Sequence, residues 1–303
     1  SGLIETYDDI LEDCDRTFQK YHDSSRFSMT RVGVGPTTVV FENPDFMKEL
    51  KAMADRYKGL CHTHLHPRPD EMKKCDEAYH MRPHQWLESI GWMDKNVSFA
   101  HISRHTADEL DILARNGACV TQSPSCHMRL GYPVAPALEA DERGIPVSIG
   151  VDGGASNDSG DMLGELRTMM YVHRIDGSHP GYGPEQWLNA KEVFKMATVN
   201  GAKCLNRDDI GMLKEGMAAD VVLFSMIQPG YAGALTDPRG ALVYCGNNHL
   251  ADTSIVNGNV LIENGVFLAG DLRQITEDAN RATERILHQV KEKTGIDYAK
   301  WEV

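Results

Sequence analysis

The chain has 303 residues, of which 41% are hydrophobic and 25% are charged, proportions typical of a soluble globular enzyme. Its 44 acidic and 31 basic residues give a net charge of −13, which argues against nucleic acid or an anionic membrane as the main partner, because phosphate groups are bound by clustered lysine and arginine. No run of about 18 apolar residues exists, so the sequence predicts no membrane-spanning segment.

The N-terminal residues S-G-L-I-E-T-Y-D-D-I are acidic and amphipathic, unlike a signal peptide. Seven cysteines are scattered along the chain and form no C-x-x-C pair. This pattern is typical of reduced thiols rather than of a disulfide framework or a zinc knuckle. We therefore expect a cytoplasmic protein.

Short apolar runs alternate with amphipathic segments after an opening helix at residues 4–21. The predicted strands are residues 30–35, 59–64, 97–101, 118–122 and 146–152. The predicted helices between and after them lie near residues 44–57, 83–90, 107–116, 135–143 and 161–174. Alternation of this kind implies an α/β protein with parallel strands and right-handed crossovers.

Three of the five predicted strands end in a candidate functional side chain: His64, His101 and Asp152. Functional residues at the carboxyl ends of successive strands favour a (β/α)8 barrel of the TIM type over an open sheet. A closed barrel has eight strands, and this sequence opens on a helix. We therefore expect the first strands of the barrel to be missing from this chain.

The texture of the sequence changes after the last barrel strand. Short β-like runs at residues 219–224, 241–244, 253–256, 260–262 and 266–268 are separated by turns such as N-G-N and E-N-G. The predicted domains are a hydrolase barrel at residues 1–206, a small β-sandwich-like appendage at 207–270, and a C-terminal helical segment at 271–303 that packs back on the barrel.

The second predicted strand ends in H-T-H-L-H-P, which places His62, His64 and His66 on one side of the strand. Three histidines on one face are unfavourable to desolvate unless a metal or hydrogen-bond partners hold them. Strand residues two apart are separated by roughly 7 Å, so we favour one metal ligand whose neighbours make hydrogen bonds at the rim. The alternative is that all three bind a metal.

The fifth predicted strand reads V-S-I-G-V-D-G-G-A-S-N and delivers Asp152 into a glycine-rich turn. A carboxylate there can bind a metal or accept a proton from a metal-bound water, although a strand-end aspartate also caps turns. His101 ends another apolar run, where it is either a packed histidine or a functional one. His127 and Arg129 follow the fourth strand in a loop that is either a substrate-contacting rim or an ordinary solvated loop.

These motifs, in this order, resemble the amidohydrolase superfamily: H-T-H-L, A-H-I, S-P-S-x-H-x-R-L-G-x-x-x-A-P and G-V-D-G-G-A-S-N-D-S-G-D-M-L-G-E-L-R. Within it, the sequence is similar to the aminohydrolases of nitrogen heterocycles, such as 8-oxoguanine deaminase, isoxanthopterin deaminase and hydroxyatrazine ethylaminohydrolase. The similarity extends over nearly all of residues 1–270.

The resemblance implies one divalent metal, usually zinc, with Fe²⁺ as the alternative. It assigns His64 as the metal ligand on barrel strand five and Asp152 as the ligand on strand eight, where it also accepts a proton from the attacking water. His101 becomes the strand-six histidine beside the water or the substrate, and His127 and Arg129 become substrate contacts. The H-x-H pair that the family carries on strand one is not in this sequence.

The resemblance also implies a glutamate in an H-x-x-E motif, which carries a proton to the leaving amine. Here Pro67 occupies the position of that glutamate. His66, assigned as a catalytic residue, is one substitute, and Asp70 and Glu71 are alternatives. The difference predicts a substrate unlike those of the best-known members.

The function implied is metal-dependent hydrolytic deamination or dealkylamination of an amino-substituted N-heterocycle, such as an oxidised purine, a pterin or a triazine. The alternatives are hydrolysis of a ring amide or a carbon–halogen bond in the same site, and a non-catalytic ligand-binding homologue. The expected partner is this small molecule, with neither nucleic acid nor membrane. The resemblance leaves a homodimer open, and no stripe of residues indicates an interface.

Overall fold

A parallel sheet of five strands, in the order β1-β2-β3-β4-β5, organises the larger part of the molecule. The strands are β1 Gly33–Val34, β2 Leu60–Leu65, β3 Val97–His101, β4 Cys119–Gln122 and β5 Val147–Ile149. The coordinates are a computed structural model that describes residues 5–37, 42–65, 68–175, 179–245 and 249–298. All five predicted strands and their parallel pairing are confirmed.

Two compact units make up the chain: Ser1–Ala218 with Met226–His249, and Ala219–Ser225 with Leu250–Val303. The predicted three-part division at residues 1–206, 207–270 and 271–303 stays a prediction, as does the packing of the C-terminal helix on the barrel.

Half of the helices described in the first unit lie between successive strands, as crossovers between parallel strands require. They are α1 Tyr7–Tyr21, α2 Pro44–Tyr57, α3 Pro69–Tyr79, α4 Pro83–Ser89, α5 Ala107–Asn116, α6 Pro124–Leu130, α7 Ala137–Glu142, α8 Gly153–Ser156, α9 Met162–Val172, α10 Ala190–Lys195, α11 Gly201–Cys204 and α12 Pro238–Tyr244.

Local sequence signals explain where these helices begin. The hydroxyl of Thr106 accepts from the backbone N–H of Glu109, and the Glu109 carboxylate accepts from the backbone N–H of Thr106, so the two residues form a capping box at the start of α5. The same helix ends at Gly117, which has a φ of 71° and provides the left-handed cap that glycine favours.

The core of the first unit lies against the sheet. All five residues of β3 are buried, as expected for a strand covered on both faces. In β2, Thr63 and Leu65 are buried whereas His62 and His64 are more accessible. This alternation confirms that His62 and His64 share one side of the strand.

The second unit contains an antiparallel sheet in the order β6-β7-β8-β9 and a long C-terminal helix. These elements are β6 Val221–Leu223, β7 Thr253–Val256, β8 Asn259–Glu263, β9 Val266–Phe267 and α13 Leu272–Thr294. Asn257-Gly258 and Asn264-Gly265 connect the last three strands with positive φ at all four residues, as the Asn-Gly turns of hairpins require. The predicted β appendage and final helix are confirmed.

One predicted strand is wrong. Residues 241–244 belong to α12 in the first unit, not to the antiparallel sheet. The side chain of Asp237 accepts from the backbone N–H of Gly240 and Pro238 occupies the first turn, so the local sequence starts a helix that buries Ala241 and Val243.

No helix among the described residues is both long and apolar enough to cross a membrane.

Candidate metal centre

Three of the predicted site residues converge at the carboxyl end of the parallel sheet. His64 lies near the end of β2, His101 ends β3, and Asp152 follows β5. Their potential ligand atoms all lie within 4.8 Å of one another. Within the ranges that the structure describes, this is the one group of three or more histidine, cysteine or acidic side chains close enough to hold a metal ion.

The backbone takes unusual conformations where these side chains leave their strands. His101 has a φ of 80°, Ile102 of 43° and Asp152 of 62°. Left-handed backbone is disfavoured for residues other than glycine, most of all for a β-branched residue such as Ile102, and costs of order 1–3 kcal/mol each. Strain of this kind concentrates at functional sites, where it directs side chains that a regular strand would place elsewhere.

A backbone carbonyl fixes the tautomer of His64. Its Nδ1 lies 2.7 Å from the carbonyl oxygen of Thr37. Because a carbonyl can only accept, Nδ1 carries the hydrogen and the lone pair resides on Nε2. The His64 and His101 rings stack with centroids 5.3 Å apart and an interplanar angle of 18°. A neutral imidazole with its lone pair on Nε2 is the form that binds a metal.

The Nδ1 atom of His101 is hydrogen-bonded to the ring of His127. The distance from His101 Nδ1 to His127 Nε2 is 3.0 Å, and His127 Nδ1 lies 3.1 Å from the carbonyl oxygen of Pro133. Burial lowers the pKa of His127, which favours its neutral form. Its Nδ1–H then donates to Pro133, its Nε2 accepts from His101, and the His101 lone pair resides on Nε2.

A cavity of about 290 Å³ opens beside this cluster, near the lower limit of small-ligand pockets. Its lining includes His64, His101, Asp152, Glu71, Cys126 and Tyr132. Glu71 is 6% exposed, and burial raises its pKa. Desolvation, with the neighbouring Asp152 as the next cause, raises the pKa of Cys126 to about 11, so Cys126 is a neutral thiol.

Cys126 and Tyr132 were not among the residues singled out from the sequence. Their only signal was their position in the loop between the fourth and fifth strands, on the rim where functional residues concentrate. No spacing motif in the sequence links Cys126 to Asp152, which lies 26 residues later.

Other predicted site residues lie outside the cluster. The His127 ring is buried behind His101, and Arg129, 48% exposed, pairs with Asp158 and is not among the described residues that line the cavity. Asp70 is largely exposed and pairs with Arg68 at 3.1 Å. His66, like Pro67, lies outside the described residues.

The donor set suits a divalent metal of the zinc type. Imidazole nitrogen and carboxylate oxygen, as in His64 and Asp152, are ligand atoms that catalytic zinc accepts, and Fe²⁺ binds the same kinds of atom. The tautomers described above place a lone pair on the Nε2 atom of both His64 and His101. The described residues therefore fit a metal ion at this position.

The sequence matches the amidohydrolase family over residues 3–261. The chain belongs to this family. This membership confirms the resemblance to the amidohydrolases that the sequence motifs indicate. Together with the parallel sheet, it also confirms the predicted (β/α)8 barrel class.

Individual relatives agree with this assignment. An isoxanthopterin deaminase from an unknown prokaryotic organism is 30% identical over 296 residues, which cover 94% of this chain and 61% of that protein. A hydroxydechloroatrazine ethylaminohydrolase from Pseudomonas sp. (strain ADP) is 32% identical over 292 residues, which cover 95% and 59%.

A solved structure is also similar. It is an atrazine chlorohydrolase from Arthrobacter aurescens TC1 complexed with zinc, which is 33% identical and superimposes with a TM-score of 0.87 over 92% of this chain and 60% of that one. The chain thus spans about three fifths of the length of the relatives it matches.

Proposed function

We propose that the protein catalyses the metal-dependent hydrolytic removal of ammonia or an alkylamine from an amino-substituted N-heterocycle, such as an oxidised purine, a pterin or a triazine. The observation that carries the proposal is the convergence of His64, His101 and Asp152 within 4.8 Å beside a cavity of about 290 Å³. The names of the relatives, a pterin deaminase and a triazine ethylaminohydrolase, support this class of substrate.

His64 and Asp152 would hold the metal, through the Nε2 atom and a carboxylate oxygen. Zinc fits this donor set, and the chlorohydrolase of similar fold is complexed with zinc. Such an ion, when bound, lowers the pKa of a coordinated water to about 7 and so supplies a nucleophile at neutral pH.

Asp152 accepts the proton that the attacking water loses, because its carboxylate is the acceptor next to the reacting position. His101, whose lone pair is on Nε2, accepts a hydrogen bond from the attacking water and so orients its oxygen.

The leaving amine needs a proton, and Glu71 is the candidate that the described residues favour. Its carboxyl group lines the cavity, and burial raises its pKa, so it retains a proton more readily than an exposed glutamate. Arg68 pairs with both Asp70, at 3.1 Å, and Glu71, at 3.4 Å, so what distinguishes Glu71 is its burial and its place in the cavity lining. The catalytic role of His66 stays a prediction, as do the substrate contacts of His127 and Arg129.

A second candidate is hydrolysis of a carbon–halogen bond by the same water activation. The observation that favours it is the similarity to an atrazine chlorohydrolase. The two reactions share Asp152 and differ in the leaving group, since chloride departs without a proton whereas an amine requires one. For both, we propose a cytoplasmic location, in line with the seven free cysteines.

The proposal is tested with the purified protein, loaded with zinc, and a panel of substrates. The panel contains 8-oxoguanine, isoxanthopterin, an ethylamino-substituted hydroxytriazine and a chlorotriazine, with detection of ammonia, ethylamine and chloride. We expect about one metal ion per chain and amine release from at least one member. Chloride release alone would establish the second candidate, and a metal-free protein without turnover would establish a non-catalytic homologue.

A further inference from the structure

The loop after β4 brings His127 to His101 through a defined local geometry. Helix α6 begins with Pro124 in its first turn and ends at Gly131, which has a φ of 68°. This left-handed residue reverses the chain, so that the backbone N–H of Tyr132 donates to the His127 carbonyl at 2.8 Å. The reversal places the Pro133 carbonyl 3.1 Å from the Nδ1 atom of His127 itself.

The side chain of His127 is buried and is held in place by contacts on several sides. Its residue exposure is 4%, and the edge of its ring meets Tyr132 at a centroid distance of 6.2 Å and an angle of 88°. One ring nitrogen faces Pro133 and the other faces His101 at 3.0 Å. Each of the two contacts therefore contains one hydrogen: His101 donates to His127, and His127 donates to the Pro133 carbonyl.

We propose that His127 is a positioning residue that fixes the tautomer and ring orientation of His101. The hydrogen of His101 is held on Nδ1 by the acceptor on His127, and the His101 lone pair is thereby directed through Nε2. The proposal rests on the proposed function only for its kinetic consequence. The sequence predicts that His127 contacts the substrate. In this proposal, His127 instead affects the reaction by orienting His101.

The tautomer is measured directly by long-range ¹H–¹⁵N NMR of the imidazole nitrogens in the purified protein, with His101 assigned from a His101→Gln sample. We expect the Nδ1–H tautomer in the wild-type protein. His127→Leu removes the acceptor and is expected to populate the Nε2–H tautomer. His127→Gln, whose side-chain carbonyl reaches the former Nε2 position, is expected to restore the wild-type signal.

Kinetics on the panel member that the protein turns over separate a positioning role of His127 from a substrate contact. Loss of a partner that orients a site histidine typically lowers activity about 10- to 100-fold. We expect this loss in kcat for His127→Leu with KM changed less than about twofold, and recovery of kcat in His127→Gln. Met128→Leu, at the exposed neighbouring position of α6, is the matched control and retains both parameters.

Two results would overturn the proposal: an unchanged His101 tautomer in His127→Leu, or a KM that rises in both His127 variants while kcat is kept. If His127→Leu does not fold, His127→Met, which is also without a comparable acceptor, is used in its place. If the wild-type protein turns over no heterocycle, the proposed function fails, and the NMR comparison still decides the role of His127.

Discussion

The two ends of the parallel sheet differ although the same five strands build both. At the carboxyl end, His64, His101 and Asp152 converge beside the cavity of about 290 Å³. Left-handed backbone occurs there after β3 and after β5, where each strand is followed by a loop. At the amino end, left-handed backbone occurs at Lys58 and Asn206, which follow helices and reverse the chain in an ordinary way, and at Phe27 in the loop before β1.

Charge differs between the two ends as well. The amino end has a wider cleft of about 520 Å³. The charged residues that line it are Arg26, Arg31, Lys95, Lys203, Arg207 and Asp208. Beneath β4, the buried thiol of Cys204 donates to the Val120 carbonyl at 3.5 Å. The amino end therefore has a cleft lined mainly by cations above a packed core. The carboxyl end instead presents imidazole nitrogens and carboxylates to its cavity. We infer that changes at the carboxyl end affect turnover and that changes at the amino end affect stability.

Asp152→Asn is the strongest test of this division. The substitution keeps the shape of the side chain and tolerates the left-handed backbone, but it removes a metal ligand and the proton acceptor. We expect kcat to fall by about 10³-fold or more. The measurement is steady-state turnover of zinc-loaded protein, with the exposed Asp158→Asn as a control that retains activity. Near-native rates in Asp152→Asn would contradict the assignment.

Glu109 is a buried carboxylate of α5 outside the cavity, and we expect its loss to act on stability alone. Burial opposes its ionisation, but the His84 ring, 3.1 Å from the carboxylate, and the hydrogen bonds from Arg82 outweigh burial and hold the pKa of Glu109 well below its usual range. Arg82 donates to both carboxylate oxygens, at 2.6 and 2.8 Å. Glu109→Gln breaks this pair and is expected to reduce the free energy of unfolding by about 3 kcal/mol.

The pH dependence of Glu109→Gln follows from the depressed pKa of the wild-type residue. In the unfolded chain this carboxyl titrates near its ordinary pKa of about 4.3, so its stabilising contribution is fully present above that pH and is lost as the pH falls towards the folded-state pKa. Urea unfolding of both proteins from pH 7 to pH 3 is the measurement. The difference between them should shrink below about pH 4, and a difference that stays constant would contradict the assignment.

Glu71→Gln tests the other carboxyl group of the cavity. Loss of a group that donates a proton to the leaving amine is expected to lower kcat by about 10²-fold, with little change in stability. Asp70→Asn, one residue earlier and exposed, is the matched control. Chloride release from a chlorotriazine needs no such proton, so the same variant should retain that reaction. Equal losses with both leaving groups would argue against the role of proton donor.

Gly59→Ala tests the amino end, where Gly59 directly precedes β2. An added Cβ would lie 2.5 Å from a ring carbon of Phe18 and 2.9 Å from the Val32 carbonyl oxygen, so the site is overpacked. We expect a loss of about 2 kcal/mol in the free energy of unfolding, with kcat/KM of the folded protein unchanged. Gly201→Ala, in the helical conformation at the start of α11 and with its nearest contact at 3.8 Å, should be neutral or stabilising. A loss of turnover in Gly59→Ala without a loss of stability would contradict the assignment of the amino end to stability.

Periodicity and strand ends were enough to predict which residues meet. His64, His101 and Asp152 each follow an apolar run, and parallel strands bring their carboxyl ends to one edge, so their convergence needed no knowledge of packing. The second unit was predicted for a similar reason, since Asn-Gly pairs specify hairpin turns locally.

What the sequence could not predict depends on contacts between distant segments. The four residues A-L-V-Y at 241–244 suit a strand or a buried helix equally, and only the Asp237-Pro238 start signal separates the two. Spacing likewise could not show that His127 contacts His101 or that Cys126 lies beside Asp152. Residues that follow a neighbouring strand are oriented by local geometry, such as the reversal at Gly131. The position of the site at the carboxyl end of the sheet was predictable from the sequence, and the hydrogen bonds within the site were not.

The left-handed backbone at Asp152 also limits how this site can evolve. Aspartate, asparagine and glycine are the residues that tolerate this conformation readily, and of these only aspartate has a negative charge. Even the conservative exchange for glutamate would therefore meet both a longer side chain and an unfavourable backbone. New substrates are more accessible through changes on the cavity wall, at positions such as Leu130 and Tyr132, than through any exchange at the reacting carboxylate.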